Sequence, residues 1–382
     1  MIQVDRGPEP ADLPPVRARR LARAVLARRD GKEIEFKDYN SPGVRERLYE
    51  RQYSKCAYCE RQIGKNGPPI EHFRPRQSAD RGDPFTKTHQ VDKDRYWWLA
   101  WSWNNLLLGC STCNSAAFKG NWFPLVPGSP EVPIPDGVLY ENHPCFAVGL
   151  EQPLLIDPTS EDPLDHMVWR PLDPRSPDGA WRAFHKTERG RVTIHILGLD
   201  GRNVDRVGEH ILHVVKPWAD RVATALEHEQ LAQAQALWNE ALIRLFAPAQ
   251  PLHAATYDAL AYIVPASERE RAGLVLHRPG PTAPAHAASD APTASVPMPR
   301  TSYAGLPDEV VLQLLADERN TPELIALICQ ARPSTVDELA TLLEISIQTV
   351  KRHCVGLASR GELVLDANGR YSAAGSGPPE AR

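Results

Sequence analysis

Near the start of the chain, Val16, Leu21, Val25 and Leu26 recur at helical spacing among Arg17, Arg19, Arg20, Arg23, Arg28 and Arg29. The pattern predicts a helix over 16–30 whose basic side is a solvated face, or else an arm that contacts phosphates or a partner. Pro8, Pro10, Pro14 and Pro15 predict an extended run ahead of it, and a second helix is expected from about Gly43 to Gln52. Between 77 and 95 the periodicity gives way to a polar loop, of a length that is often functional or mobile. Tyr96, Trp97, Trp98, Trp101 and Trp103 then crowd together. They are expected to pack as a small core, with a base-stacking platform as the alternative. Residues 124–200 are rich in Pro and Asp and end in a helical start. From 202 to about 246 an apolar stripe runs through Val204, Val207, Ile211, Val214 and Val215, and on through Leu226, Leu231, Ala234, Leu237, Leu242, Ile243 and Leu245. This predicts a helical hairpin, kinked or split at Pro217, whose stripe forms an internal core or a partner-binding face.

Over 266–303 periodicity is lost again, and HRPGPTAPAHAASDAPTASVPMPR predicts a flexible tether. Helices are expected near Asp308–Glu318 and Pro322–Ala331. STVDELATLLE and SIQTVKRHCVGLASRG follow as two helices joined by a short turn. Ser334 and Ser346 fit N-caps, and Ser334 with Asp337 resembles a capping box. ELVLDANGRYS then places two strands around an Asn-Gly turn. This order resembles a winged helix-turn-helix domain over 304–375, with 376–382 as a disordered tail. In a DNA-binding reading Ser346, Gln348, Thr349, Lys351 and Arg352 face the major groove or phosphates, and Arg370 reaches the backbone from the wing. Winged helices also serve as protein-docking modules, and this one is not strongly basic.

The length of 382 residues implies roughly two to three domains. The expected fold class is α+β, mainly helical. A net charge of −4 gives no global attraction for nucleic acid, so such a partner would need a local basic patch. No stretch approaches the ~20 apolar residues of a membrane span, and the start lacks a signal-peptide core. The expectation is a cytoplasmic protein. Of seven cysteines, the widely spaced Cys145, Cys329 and Cys354 read as reduced core residues.

The other four form two Cys-x-x-Cys pairs, Cys56/Cys59 and Cys110/Cys113, the ligand set of a closed tetrahedral zinc site. Their separation exceeds that of a short zinc ribbon and leaves room for an active centre. Glu71-His72 and Asn104-Asn105 lie between the pairs, and Asn114 immediately follows Cys113. The order Cys-x-x-Cys, acidic-His-x-x-Pro, Asn-Leu, Cys-x-x-Cys-Asn resembles an HNH endonuclease of the ββα-metal type, with hairpin and helix stapled by a four-cysteine zinc. LLIDPTSEDPLDHMVW, GRVTIHILGLDGRNVDR and KGNWFP at 119–124 narrow the likeness. They resemble the HNH nucleases paired with ABC/SMC-like ATPases in Septu-type antiphage systems and some retrons. The resemblance spans about residues 1–265, as a zinc-framed core (53–124) and a helical remainder (195–265). Relatives of this kind generally lack the C-terminal module.

Phosphodiester cleavage needs an activated water, a base near neutral pKa and neutralisation of charge on the phosphate and leaving oxygen. The resemblance implies that His72 is the general base and that Asn105 orients the loop carrying it. It implies that Glu71 and Asn114 hold one catalytic cation, while the zinc only fixes the frame. Glu71 stands where Asp is usual and Asn114 where His is frequent. Both are oxygen donors, which favours Mg²⁺ or Mn²⁺. Arg74, Arg76 and Lys119 flank the centre and could hold neighbouring phosphates or lie on a solvated face. His89 could be a further metal or phosphate contact or a plain loop residue. Asp157, Asp162 and His166 fit structural hydrogen bonds or a distal part of a cleft. The leading expectation is a DNA endonuclease acting in antiphage defence with an ABC/SMC-like ATPase partner. One rival is a DNA-binding transcriptional regulator with an inactive HNH module, another an inactive scaffold for an ATPase. DNA against RNA stays open, because such a centre reads a phosphate backbone.

Overall fold

A computed structural model describes residues 1–64, 70–137, 143–201, 204–280, 303, 306–316 and 321–375. In chain order, helices α1 (Leu13–Arg29) and α2 (Pro42–Arg51) precede four short strands, β1 (Ile70–His72), β2 (Ala79–Asp80), β3 (Val91–Asp92) and β4 (Leu106–Leu108). Strands β5 (Met167–Pro171) and β6 (Trp181–His185) lead into α3 (Glu188–Leu197), α4 (Val204–His210), α5 (Lys216–Glu227), α6 (Leu231–Leu245), α7 (His253–Ile263) and α8 (Ala266–Arg271). The C-terminal elements are α9 (Asp308–Ala316), α10 (Thr321–Ala331), β7 (Ser334–Thr335), α11 (Val336–Leu343), α12 (Ile347–Ser359), β8 (Leu363–Leu365) and β9 (Arg370–Ala373). The class is α+β with small sheets, as expected. Helix α8 occupies the first residues of the expected tether; the tether's 281–302 and the tail from 376 lie outside the described residues.

The described residues cluster into two units, one within Met1–Ala11, Asn40–Ile134 and Ala147–Thr293, the other within Asp12–Tyr39, Pro135–Phe146 and Ala294–Arg382. In the first unit, Ser41 caps α2 by accepting from the Val44 amide, and Pro42 occupies a first-turn position where its missing N–H costs nothing. Tyr96, Trp97, Trp98, Trp101 and Trp103 are buried, so the aromatic block is core and offers no stacking platform. The expected irregular loop contains the antiparallel pair β2–β3. Its Phe85 ring packs 4.4 Å from the His195 ring under the Arg191 guanidinium, which pins the loop to α3. The β5–β6 hairpin pairs Met167 with His185 through Pro171 with Trp181, and α7 packs on β5. There Asp258 accepts from the Trp169 amide (2.8 Å). A π-turn, Ile211–Val215, joins α4 to α5. Pro217 lies in the first turn after it, so the expected break is a local rewinding of one long helix. Helix α6 returns along α5, completing the hairpin.

In the second unit α1 packs on α9, burying Leu13, Leu21, Ala22, Ala24 and Val25. The side expected to be solvated is partly engaged: Arg20 pairs with Asp38, Arg23 donates to the Ala316 carbonyl and Arg29 pairs with Glu309. The remaining elements run helix, strand, helix, helix, hairpin, with an antiparallel sheet ordered β7-β9-β8. The capping box is shifted by one residue from the expected pair. Thr335 accepts from the Glu338 amide and the Glu338 carboxylate from the Thr335 amide, while Ser334 is buried in β7. Ser346 caps α12 as expected. In the Asn-Gly turn, Asp366 accepts from the amides of Asn368 and Arg370, and Gly369 takes φ +75°, which favours glycine. Arg370 does not reach outward from the wing. Its guanidinium donates to both Glu338 oxygens (3.2 and 3.0 Å) and to the Pro333 carbonyl, fastening the hairpin to α11.

Candidate functional site

The four cysteines come together. Cys56, Cys59, Cys110 and Cys113 are buried, with their Sγ atoms within 4.8 Å of one another. Cys59 and Cys110 Sγ are 3.8 Å apart, close to the edge of roughly 3.8 Å that tetrahedral Zn–S bonds of about 2.3 Å require. The amides of Cys110 and Cys113 donate to the sulfurs of Cys56 (3.3 Å) and Cys110 (3.4 Å), which favours thiolates at those positions. The set fits a structural zinc ion. Gln52, at the end of α2, binds the frame to β4. Its Nε2 donates to the Leu108 carbonyl (3.0 Å) and its Oε1 accepts from the Leu108 amide (2.9 Å).

Strands β1 and β4 pair antiparallel, with Glu71 opposite Leu107 and His72 opposite Leu106. Asn105 directly precedes β4 and closes the ladder. Its carbonyl accepts from the Phe73 amide (2.9 Å), and its side chain accepts from the Arg74 amide (2.7 Å) and donates to the Arg74 carbonyl (2.9 Å). The backbone after His72 is thereby held by both ends of one amide. His72 is 5% exposed, with Nε2 2.9 Å from the Ala100 carbonyl. That oxygen can only accept, so Nε2 carries the ring proton and Nδ1 keeps its lone pair. Burial, and after it the charge of Arg76, lowers the pKa of His72 to about 3, so the ring is neutral.

Glu71 is 2% exposed and packs against Gly109, where a Cβ would sit 2.9 Å from the Glu71 Cβ. Burial raises its carboxyl pKa, opposed mainly by Lys119. Lys119 is itself buried. Its Nζ lies 2.5 Å from Glu71 Oε1 and donates to the His72 carbonyl (2.8 Å). Arg74 is also buried and donates to Glu151 (3.0 Å) and the Val148 carbonyl (3.0 Å). Arg74 and Lys119, both expected beside a phosphate, are each engaged with internal partners here. Arg76 is only partly covered and acts electrostatically on both His72 and Glu71.

Asn114 ends the second Cys-x-x-Cys turn, its amide donating to the Cys110 carbonyl (3.1 Å). Its side chain makes no hydrogen bond among the described residues. The α-helix expected here does not form. Residues 111–121 make successive turns, in which the Lys119 amide donates to the Cys113 carbonyl. Thr112, Asn114, Ser115 and Gly120 favour turns, and the amide-to-sulfur bonds compete with regular i→i−4 bonding.

The polar residues farther along serve the scaffold. Asp157 accepts from Thr159, Asp162 caps the Pro163–Asp165 turn, and His166 sits between Thr187 and Glu161. Sequence reasoning missed Gln52 and Glu151, the latter also accepting from the Tyr96 hydroxyl (3.0 Å). No motif marks either, because each acquires its role from a distant partner. In the second unit, Ser346 and Thr349 are engaged in the α12 cap, while Gln348, Lys351 and Arg352 are exposed on its surface. Cys329 and Cys354 are buried in that core without a disulfide, and Cys145 is likewise buried with no disulfide. No helix among the described residues is long and apolar enough to cross a membrane.

The chain is similar to the Septu protein PtuB of Bacillus mycoides (strain KBAB4), with 30% identity over 178 residues, 44% of this chain and 55% of that protein. It thus spans about half the length of this curated relative. No family model matches the chain, and no solved structure matches it.

Proposed function

We propose that this protein is a metal-dependent HNH endonuclease that hydrolyses DNA phosphodiester bonds. We infer further that it is the nuclease of an antiphage defence system and acts with an ABC/SMC-like ATPase. The observation that carries the chemistry is the Asn105 clamp. It fixes the backbone directly after the buried His72, on a ladder that the four cysteines brace. The similarity to a Septu protein supports the defence setting.

His72 Nδ1 takes a proton from the attacking water as that oxygen bonds to phosphorus and the ester oxygen departs. The Ala100 carbonyl fixes the tautomer and Asn105 the loop. Lys119, reassigned from phosphate ligand to positioning residue, ties Glu71 to the His72 carbonyl. Arg76, half-buried and acting electrostatically on both Glu71 and His72, is the cation we assign to the substrate phosphate. Glu71 and Asn114 would hold Mg²⁺ or Mn²⁺; one carboxylate and one amide oxygen suit a hard cation that stays largely hydrated and leans on substrate phosphate. When bound, that ion would act as Lewis acid on the phosphoryl oxygen and the departing alkoxide.

The C-terminal elements have the order of a winged helix. In our reading Gln348, Lys351 and Arg352 present α12 to DNA, with Ser346 and Thr349 shaping its N-terminus. A second reading, docking to a protein, is favoured by the exposure of Ile347 (46%), Val355 (62%), Val364 (53%) and Leu365 (52%) on α12 and β8.

The test is plasmid cleavage with Mg²⁺ or Mn²⁺, alone and with a co-purified partner. His72→Ala should lower the rate about 10²–10⁴-fold, with zinc content and fold unchanged. Cleavage persisting at the wild-type rate in that variant would sink the assignment.

A further inference from the structure

A buried acid holds an exposed imidazole one turn away from Lys119. Asp80, at the end of β2, has a side chain only 7% exposed, and its Oδ2 accepts from His89 Nδ1. The His89 side chain is 61% exposed, and its ring stacks on the Trp122 indole, centroids 4.8 Å apart and planes 25° from parallel. His89 Nε2 makes no hydrogen bond among the described residues.

The loop does not need this imidazole to close. Asp80 Oδ1 already accepts from the amides of Gly82 and Gln90 (both 3.0 Å), and the β2–β3 ladder brings the backbones together. Gly82 approaches Thr88 so closely that a Cβ would stand 1.8 Å from its carbonyl oxygen. A histidine that is surplus to loop closure, yet fixed by an acid on one nitrogen and an indole on one face, presents its other nitrogen in a set direction.

The indole that backs the ring belongs to the turn that carries Lys119. The Trp122 amide donates to the Lys119 carbonyl (2.8 Å), so Lys119 and Trp122 are the ends of one tight turn, with Cα atoms within about 7 Å of each other. Lys119 points inward to Glu71 and the His72 carbonyl, while Trp122 backs His89. The Asp80 amide and carbonyl bond Asn121 and Phe123, which locks β2 to this turn.

We propose that His89, positioned by Asp80 and Trp122, contacts a backbone phosphate of the nucleic acid next to the one that is cleaved. It would keep its Nδ1 bond to Asp80 while Nε2–H donates to a phosphate oxygen, a contact that binds without entering the reaction. This inference rests on the nuclease reading.

The experiment compares wild type, His89→Ala and His89→Gln, full chain, in duplex cleavage with Mn²⁺, together with duplex binding in a His72→Ala background. His89→Ala should raise KM and the duplex Kd about tenfold with kcat within about twofold, the signature of lost uniform binding. His89→Gln, which keeps a neutral donor, should recover part of that loss, and thermal midpoints should not move. Unchanged KM and Kd in His89→Ala, beside a wild type that cleaves, overturns the contact and leaves the nuclease reading standing. A fall in kcat alone, or a lowered thermal midpoint that glutamine does not rescue, also overturns it. A wild type that neither binds nor cleaves duplex, alone or with a co-purified partner, removes the nuclease reading and the contact with it.

Discussion

The zinc-framed centre and the α12 surface were marked by the same kind of evidence, polar residues at meaningful spacing, yet they are built in opposite ways. Around β1 and β4, Glu71, His72, Arg74, Asn105 and Lys119 are all buried, and each bonds a named partner. On α12, Gln348, Lys351 and Arg352 are exposed. Burying polar groups is costly unless each is satisfied, so the first cluster persists only because its members hold one another in place. The second carries no such cost, and its residues could change without the fold registering it. A buried network is therefore evidence of preorganisation, whereas an exposed row is evidence only of an available surface.

The contrast is broken most severely at the metal frame. Cys110→Ser should lose zinc and unfold the first unit, since structural zinc contributes on the order of 10 kcal/mol of folding free energy. Elemental analysis and circular dichroism check this, and a folded, zinc-containing Cys110→Ser protein would contradict it. Asn105→Ala should come next. It leaves the Arg74 amide and carbonyl without their buried partner, at about 2–4 kcal/mol in urea denaturation. A loss below about 1 kcal/mol would mean that water or a shifted loop replaces the clamp.

Asp258 sharpens the comparison from the other side, as a buried group that burdens the fold. Burial raises its pKa to about 6, only partly offset by the Trp169 amide. The folded value lies above the unfolded one of about 4, so the folded state binds the extra proton between those pH values. Stability from this group is greatest below pH 4, falls as pH rises through 6, and is flat beyond. Asp258→Asn can still accept from Trp169 and should stabilise the protein by about 1–3 kcal/mol at pH 7.5, with little gain at pH 4. An equal gain at both pH values would point to packing as its cause.

The smallest effect is expected on α12. Lys351→Ala and Arg352→Ala should each change stability by no more than about 0.5 kcal/mol. If they meet phosphates, each should also reduce the salt dependence of duplex binding by about one unit of slope. Unaltered binding, with weakened capture of an ATPase partner by Val355→Asp, would favour the docking reading.

What the sequence by itself determined is what neighbours in the chain can decide. The Cys-x-x-Cys turns, the Ser41 and Ser346 caps, the Asn-Gly turn and the break near Pro217 all follow from side chains acting on backbone within a few residues. The role of Asn105 was legible only through the resemblance to HNH nucleases, which implies a residue that orients the loop carrying His72. Only the tertiary structure decided where the charges go. Arg74 finds Glu151 across 77 positions, Lys119 turns inward to Glu71, Arg370 folds back on Glu338, and α1 packs on α9. Nor could spacing alone show that the thiolates and turn-forming residues would replace a helix after β4, or that His89 would rest on Asp80 and Trp122. A long cationic side chain can snorkel, pair or bind a ligand with equal ease. Which of these it does depends on burial and on partners that the chain brings near only when it folds.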